Sequence, residues 1–438
     1  MKVMKFGGTS VGSPDRMRSV IPLINDGEQN LVVLSAMSGT TNSLVEISDL
    51  LYAGKQEEAV HKIGLLREKY HKVIEDLYTT EQYKYKAFET VNSLLNDIDG
   101  LTSLKHSKQY EKIILSKGEL MSSSMFYYLL LENNIDCVLL PALNFMRIDK
   151  DGEPDTYYIA ENFRRELDAH PGHNIIITQG FICRNAQGET DNLKRGGSDF
   201  TASLLGAAVN ASEIQIWTDI NGFHNNDPRL VENTEVIREI SFDEAAELAY
   251  FGAKILHPSS VNPAREKNIP VRLKNTMDPH DQGTIITSSY IPQDYKAVAA
   301  KDGISAIRIH SDRMLMAYGF MRKVFEIFET YKTPIDMVAT SEVSVSITVD
   351  DSQHLDQIAH ELQALGSVEI EKDQTIICIV GDFRADKKGS APEIFEALNS
   401  ISLKMISYGG SSHSLSLLID TKDKTDALRL LHKYLFNH

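Results

Sequence analysis

The chain has 438 residues, of which 45 are Lys or Arg and 61 are Asp or Glu, so its formal net charge is −16. An acidic chain is poorly suited to non-specific binding of nucleic acids or anionic membranes, and no apolar stretch approaches the roughly 18 residues of a transmembrane helix. Its three cysteines form no CxxC pair, which argues against a disulfide framework or zinc finger and favours a reducing compartment. We therefore expect a cytoplasmic protein with no nucleic-acid or membrane partner.

The first part of the chain, to about residue 290, alternates short apolar runs with longer amphipathic segments. Strands are predicted at residues 2–6, 30–35, 137–140, 174–178, 213–218 and 270–273. Helices are predicted at 13–25, 43–53, 119–132, 200–210 and 242–256, and residues 56–115 are predicted to form a helical excursion. Apolar strands separated by helices indicate an α/β fold with a mostly parallel open sheet and helices on both faces.

The pattern changes after about residue 302. A strand and helix order of β-α-β-β-α-β is predicted over 304–372 and repeats from residue 375 at an offset of roughly 70 residues. The second copy lacks a closing strand, which residues 295–300 could supply. We therefore predict a first domain at 1–290, an inserted domain at 304–372, and a last domain formed by 291–303 and 373–438.

Lys5 lies at the end of the first predicted strand, and Gly7 and Gly8 follow it and lead into a helix. Glycines let the backbone approach a phosphate, a helix N-terminus offers free N–H groups, and a lysine adds a point charge. The segment matches neither the P-loop nor GxGxxG. A phosphate site and a plain strand–turn–helix connection are about equally consistent with it.

Three other polar segments precede predicted helices. A hydroxyl-rich loop at 35–42 follows the second strand, where open α/β sheets usually bind ligands, although Thr41 could simply cap a helix. Glu119 completes an S-x-x-E pattern that is typical of a capping box and could instead face a cationic substrate group. Arg195 precedes two glycines and could clamp a carboxylate or be only a surface arginine. Asp199 could be only an N-cap or first-turn acid of the helix.

A segment after the fifth predicted strand has the residue types of a nucleotide site. Thr218 and Asp219 end that strand, and Asp227-Pro228-Arg229 follows in a loop that could equally be a simple turn. Lys254 lies near the end of a predicted helix, where lysine is common for dipole reasons. The histidines show no metal-ligand spacing, so no protein metal site is predicted.

Seven segments occur in the order expected of aspartate kinases: KFGGTSVG, VVLSAMSGTTN, SKGE, QGFI, LKRGGSDFTA, WTDINGF with NDPR, and FGAKILHP. The sequence resembles that family over nearly its full length, and its C-terminal repeats resemble tandem ACT regulatory domains. The resemblance implies the amino-acid-kinase fold and ATP-dependent phosphorylation of the side-chain carboxylate of L-aspartate to 4-phospho-L-aspartate. This reaction is the first step of lysine, threonine and methionine biosynthesis. The resemblance also implies Mg²⁺ carried with ATP, and at least a homodimer through the ACT domains.

The resemblance further implies a role for each matched position. Lys5 and Asp199 would be catalytic residues, Lys5 by neutralising charge on the transferred phosphoryl group. Substrate contacts would come from Ser35, Thr41, Glu119, Arg195 and Ser198. Nucleotide contacts would come from Lys5, Phe6, Gly7, Gly8, Thr218, Asp219, His224, Arg229 and Lys254. His224 stands where an aromatic hydroxyl is frequent in the family.

Residues 314–321 and 335–342 resemble the effector segments of lysine-inhibited aspartate kinases. By that match the effector pocket would be lined by Met314, Gly319, Phe320, Met321, Ile335, Asp336 and Ser341. Asp336 would face the ammonium group of the effector. The other interpretation of this apolar stretch is domain core and dimer contact. We expect feedback inhibition by lysine in preference to threonine or no response.

Two other functions compete with this interpretation. A related kinase for glutamate, N-acetylglutamate or UMP would lack the KFGGTSVG start and the tandem ACT tail. A non-catalytic amino-acid sensor on a kinase fold would have no need of Lys5, yet Lys5, Glu119, Arg195 and Asp199 are all present. An aspartate kinase is therefore the function we predict.

Overall fold

The structure is a computed structural model that describes residues 1–193, 196–252, 256–314, 318–384 and 390–436. The chain divides into two units. The first comprises Met1–Phe223, Arg238–Phe242 and Leu256–Ser289, and the second comprises His224–Ile237, Asp243–Ile255 and Tyr290–His438. Two stretches of the predicted 1–290 domain, 224–237 and 243–255, thus belong to the second unit.

The first unit contains ten strands among its described residues. They are β1 (Lys2–Phe6), β2 (Asn30–Leu34), β3 (Cys137–Leu139), β4 (Ile175–Gln179), β5 (Ile182–Arg184), β6 (Thr190–Asn192), β7 (Ile214–Thr218), β8 (Glu239–Ser241), β9 (Val271–Asn275) and β10 (Thr284–Thr287). Eight of them form one sheet in the order β3-β4-β2-β1-β7-β9-β10-β8, while β5 and β6 form a hairpin. All pairs in the large sheet are parallel except β9 with β10, which confirms the predicted α/β fold.

Nine α-helices lie in the described residues up to residue 266. They are α1 (Pro14–Ile24), α2 (Thr40–Tyr52), α3 (Gln56–Leu77), α4 (Glu81–Leu101), α5 (Lys108–Glu132), α6 (Thr156–Ala169), α7 (Gly197–Val209), α8 (Phe242–Tyr250) and α9 (Asn262–Glu266). Four of them, α2 to α5, follow one another between β2 and β3. All of α8 after its first residue belongs to the second unit. The apolar faces of α1 to α5 share one core with β1, β2 and β4, so burial of these faces fixes the predicted helical excursion beside the sheet.

Helix α5 begins eleven residues earlier than predicted. The side chain of Ser107 accepts a hydrogen bond from the Tyr110 N–H at 3.3 Å and caps the helix there. The S-x-x-E pattern therefore lies inside the helix, and the capping-box interpretation of Glu119 is wrong.

The second unit is built on a six-stranded antiparallel sheet with the order β12-β13-β11-β14-β16-β15. Its strands are β11 (Tyr295–His310), β12 (Val338–Thr340), β13 (Ser344–Val349), β14 (Ser367–Gly381), β15 (Met405–Ser407) and β16 (Ser414–Asp420). Its remaining helices are α10 (Phe320–Thr330), α11 (Leu355–Leu362), α12 (Ser390–Ala397) and α13 (Lys424–Phe436).

Two long strands form the centre of this sheet. Residues 295–301 of β11 pair with 376–381 of β14, and residues 304–310 pair with 367–374, with register shifts between the two halves. The strand predicted at 295–300 and the first strand of the copy predicted over 304–372 are thus one strand, because the irregularity near Gly303 (φ +79°) is absorbed without ending the ladder. One core lies on each half, one with α10 and α11 and the other with α12 and α13.

No helix in the described part of the chain combines the length and apolarity that crossing a membrane requires.

Candidate active site

A cavity of about 730 Å³ lies in the first unit, beside the carboxyl ends of β1, β2 and β7. This is the sheet edge where ligands of open α/β folds bind, because the strand ends leave backbone groups and loop side chains unpaired there. Nine predicted site residues line the cavity: Lys5, Gly7, Gly8, Ser35, Thr41, Glu119, Ser198, Thr218 and Asp219. The fold therefore brings together residues that are up to 214 positions apart in the chain.

Lys5 projects from the end of β1 toward the start of α7. Its Nζ lies 2.7 Å from the carboxylate of Asp199, and both side chains are only 12% exposed. Helix α7 is capped by Gly196 with no side-chain hydrogen bond, so Asp199 is a first-turn acid and does not cap the helix. The two predicted catalytic residues thus form an ion pair with each other.

Gly8 lies where two loops that line the cavity approach each other. A Cβ on Gly8 would lie 2.8 Å from the Ala36 carbonyl oxygen, which is closer than real Cβ atoms come. The backbone N–H of Ser38 donates to the Gly8 carbonyl at 3.0 Å and joins the loops. Gly8 therefore lets the two loops approach closely, while its approach to a phosphate stays a prediction. The Phe6 ring is fully buried and stacks on Trp217, and Phe6 is not among the residues that line the cavity.

The loop at 35–41 is held by hydrogen bonds from two side chains that were not predicted from the sequence. Lys69 of α3 donates to the Ser38 carbonyl at 2.8 Å, and the hydroxyl of Tyr70 hydrogen bonds that of Thr40 at 3.0 Å. Helix α2 starts at Thr40 after Gly39, which has a φ of +76°. Thr41 is therefore in the first turn of the helix, and the N-cap residue is Gly39 and not Thr41.

Glu119 reaches the cavity from the middle of α5 and is only 4% exposed. Its Oε1 accepts a hydrogen bond from the Ala36 N–H at 3.2 Å, and its Oε2 has no hydrogen-bond partner among the described residues. Burial raises the pKa of Glu119 to about 8, against smaller opposing effects of the Ala36 N–H and the Lys5 charge. A buried carboxyl with one free oxygen is suited to receive a cationic ligand group.

The segment around Arg195 is described only in part, because residues 194 and 195 lie outside the described ranges. Ser198 follows on α7 and packs close to Gly180, where an added Cβ would lie 2.5 Å from the Ser198 Oγ. A Cβ added to Gly197 would likewise lie 2.5 Å from the ring of Phe181. These contacts fix the start of α7 against the cavity.

Of the predicted nucleotide residues, Thr218 and Asp219 line the cavity and their side chains hydrogen bond each other at 3.2 Å. His224 and Arg229 belong to the second unit. The exposed guanidinium of Arg229 pairs with both carboxylate oxygens of Asp227 at 2.7 and 2.9 Å, as in a simple turn. Lys254 lies outside the described residues.

The comparisons with known proteins agree with this geometry. The model of the amino acid kinase family matches residues 1–275, and an ACT domain model matches residues 377–435. Lysine-sensitive aspartokinase 3 of Escherichia coli is 36% identical over 450 aligned residues, which cover 99% of each chain. The chain belongs to the aspartokinases of the amino acid kinase family.

Other aspartokinases share the sequence and the fold. Chloroplastic aspartokinase 3 of Arabidopsis thaliana is 33% identical over 99% of this chain and 81% of its own. The structure of E. coli aspartokinase III with aspartate and ADP (R-state) superposes with a TM-score of 0.84 at 34% identity, and that with lysine and aspartate (T-state) with 0.82 at 35%. Both cover all of this chain and all of their own. The predicted family is confirmed.

The predicted effector residues of this aspartokinase all belong to the second unit, where residues 315–317 lie outside the described part. Gly319 caps α10 with a φ of +79°, and Phe320 begins that helix as a buried residue. Partly buried side chains packed on the same core include those of Met314, Met321 and Ile335. The Ser341 hydroxyl hydrogen bonds that of Ser344 at 2.8 Å. Asp336 is buried and already has partners, which are described below.

Proposed function

We propose that this aspartokinase transfers the γ-phosphoryl group of ATP to the side-chain carboxylate of L-aspartate. The observation that carries the proposal is the cavity where Lys5 and Glu119 meet glycine-lined backbone, with Asp199 paired to Lys5 beside it. A substrate carboxylate is ionised at neutral pH, so the reaction needs no strong base. Catalysis must come from positioning and from neutralising charge in a loose transition state.

Each charged residue has a distinct proposed role. The Lys5 ammonium would neutralise charge on the transferred phosphoryl group, and Asp199 would hold Lys5 in place before ATP binds. The Glu119 carboxylate would receive the ammonium group of aspartate through its free Oε2. Arg195 would bind the α-carboxylate, with Ser35, Thr41 and Ser198 as further substrate contacts.

The glycine-lined loop and the end of β7 would hold the nucleotide. Gly7 and Gly8 would approach the phosphates, and Thr218 and Asp219 would bind near the ribose. Roles for His224, Arg229 and Lys254 stay predictions from the family match, and Phe6 would contribute only its backbone.

Mg²⁺ would arrive with the phosphates of ATP. The carboxylates of Asp199 and Asp219 are oxygen ligands of the kind Mg²⁺ prefers when it keeps most of its coordination for water and phosphate. The donor set at this cavity therefore fits the ion. When bound, Mg²⁺ would neutralise phosphate charge.

Aspartate-dependent release of ADP from Mg-ATP by the purified chain tests the activity. We expect turnover with aspartate and none with glutamate. A folded protein that binds ATP and shows no turnover would contradict the proposal and favour an amino-acid sensor.

We also propose feedback inhibition by lysine through the second unit. The E. coli relative is named lysine-sensitive, and a solved E. coli structure holds lysine. Asp336 offers a buried carboxylate with a side chain 1% exposed, which suits an ammonium ligand. Titration of the activity with lysine and, separately, threonine checks this, and unchanged rates at millimolar lysine would contradict it.

The domain limits and the homodimer also stay proposals. The inserted arrangement, with 304–372 placed between 291–303 and 373–438, is supported by the pairing of residues 295–301 with 376–381. Strand β12 lies at one edge of the sheet with Val338 exposed, where a second ACT region could pair. Light scattering on the purified chain would measure the assembly. Cytoplasmic location stays a prediction.

A further inference from the structure

The carboxylate of Asp336 is held by two donors inside the second unit. The Tyr250 hydroxyl donates to Oδ1 at 2.6 Å, and the Lys301 ammonium donates to the same oxygen at 2.8 Å. Oδ2 is buried and has no hydrogen-bond partner among the residues described. The backbone N–H of Asp336 donates to the Thr348 carbonyl at 2.9 Å, which holds the backbone at Asp336 against β13.

Lys301 has a second anionic partner. Its Nζ lies 2.9 Å from Oδ2 of Asp350, which follows β13 and is 37% exposed. The ammonium also lies 4.0 Å from the centre of the Tyr250 ring. Lys301 itself is 17% exposed and stands between the buried Asp336 and the more exposed Asp350.

A buried carboxylate is costly without a counter-charge. The Lys301 ammonium supplies that charge in the free protein, and it has the same chemistry as the ammonium group of a lysine effector. Two ammonium groups at one carboxylate would repel each other. A ligand ammonium at the free Oδ2 would therefore be disfavoured while Lys301 stays on Oδ1, and Asp350 keeps the Lys301 side chain paired when it moves away.

We propose that the Lys301 ammonium is an internal competitor at Asp336, so that an effector amine binds there only when Lys301 moves away to Asp350 alone. The inference rests on the proposed lysine regulation and adds the residue that sets its sensitivity. The fraction of molecules in which Lys301 leaves Asp336 scales the apparent affinity for the effector.

Two substitutions should shift the inhibition in opposite directions. Lys301→Met removes the competitor, so the lysine concentration for half-inhibition should fall by about tenfold. Asp350→Asn removes the second partner of Lys301, which then stays on Asp336. The lysine concentration for half-inhibition should therefore rise severalfold in this variant. Lys301→Arg keeps the positive charge, so its lysine concentration for half-inhibition should stay near that of the original protein.

Lys404→Met is the matched control. Lys404 also bridges two carboxylates, those of Glu371 and Asp420 at 3.1 and 3.5 Å, and its side chain is 26% exposed. Its loss removes the same charge from the same sheet without touching Asp336. The lysine response of this variant should therefore stay unchanged.

The experiment measures L-lysine binding by calorimetry and inhibition by ADP release, with thermal unfolding as the check on folding. Tighter binding in Lys301→Met with weaker binding in Asp350→Asn supports the proposal. Equal or weaker binding in a folded Lys301→Met variant overturns it while leaving lysine regulation intact. Absence of lysine binding in the original protein and in every variant would refute the proposed regulation, and this inference with it.

Discussion

Replacing Glu119 with Gln should stabilise the free protein while weakening aspartate binding. The carboxyl group is buried and its Oε2 lacks a partner in the described part of the chain, so the folded state favours its neutral form. Gln is neutral at every pH and can still accept the Ala36 N–H. The substitution therefore removes the cost of a buried ionisable group, but it also removes the charge that would meet the substrate ammonium.

The size of the effect follows from the pKa. The raised value of about 8, against an ordinary 4.5, means that the folded protein keeps a proton that the unfolded chain releases. The free energy of unfolding should then fall by about 1.4 kcal/mol per pH unit between these two values and level off above about pH 8. The whole span corresponds to about 5 kcal/mol. This contribution should be absent from the Gln variant.

Urea denaturation from about pH 5 to about pH 8.5 measures the difference in slope. Glu111→Gln serves as the control, because Glu111 lies on the same helix and makes an exposed hydrogen bond to Tyr52. Parallel curves for the original protein and Glu119→Gln would refute the reasoning, whereas a flatter curve only for Glu119→Gln supports it.

Kinetics test the substrate role of the same residue. Aspartate brings an ammonium group, so its binding should require the ionised form of Glu119, and KM for aspartate should fall as pH rises toward about 8. Loss of a charged hydrogen bond should raise KM in the Gln variant by roughly 10- to 100-fold and remove the pH dependence. An unchanged KM would exclude contact between Glu119 and the substrate ammonium.

Three other substitutions test separate parts of the chain. Lys5→Met should lower kcat about 100-fold or more, with a smaller change in KM for aspartate; an unchanged kcat in the ADP-release assay would remove Lys5 from the chemistry. Lys296→Met removes the buried ion pair that Lys296 makes with Glu244 at 2.8 Å, so urea denaturation should show a loss of about 3–5 kcal/mol, and a loss under about 1 kcal/mol would contradict this. Gly283 has a φ of +68°, and an added Cβ would collide with the Leu273 carbonyl oxygen. Gly283→Ala should therefore lower Tm by several degrees in scanning calorimetry, and an unchanged Tm would contradict this.

Six of the eight strands of the large sheet were predicted, whereas β8 and β10 were not. The central strands were predictable because they are buried on both faces. Runs such as 30–34 and 175–179 are fully buried, and continuous apolar sequence is the pattern of such strands. The hairpin of β5 and β6 was missed, since Thr190–Asn192 is polar and only three residues long. Its pairing depends on tertiary contacts, including the donation from Gln109 of α5 to the Thr190 carbonyl.

The candidate site was only partly predictable. The motifs locate Lys5, Glu119 and Asp199 near ligands, and the fold places all three at or beside one cavity. Local pattern misplaced the start of α5, because S-x-x-E looks the same inside a helix as at its cap. The loop contact from Lys69 had no local signal at all, since its partner is 31 residues away.

Both units contain buried charged groups at proposed ligand sites. The unfavourable free energy of burying these groups is offset in two different ways. Lys5 with Asp199, and Lys301 with Asp336, form internal ion pairs. Glu119 has no ion-pair partner among the described residues and carries a raised pKa instead. A ligand at an internal pair must exchange with a side chain, so its affinity should respond to substitution of the competing residue. A ligand at a protonated carboxyl must displace a proton, so its affinity should respond to pH. The two devices can therefore be separated by experiment: pH acts chiefly on aspartate binding through Glu119, and Lys301→Met acts chiefly on lysine inhibition.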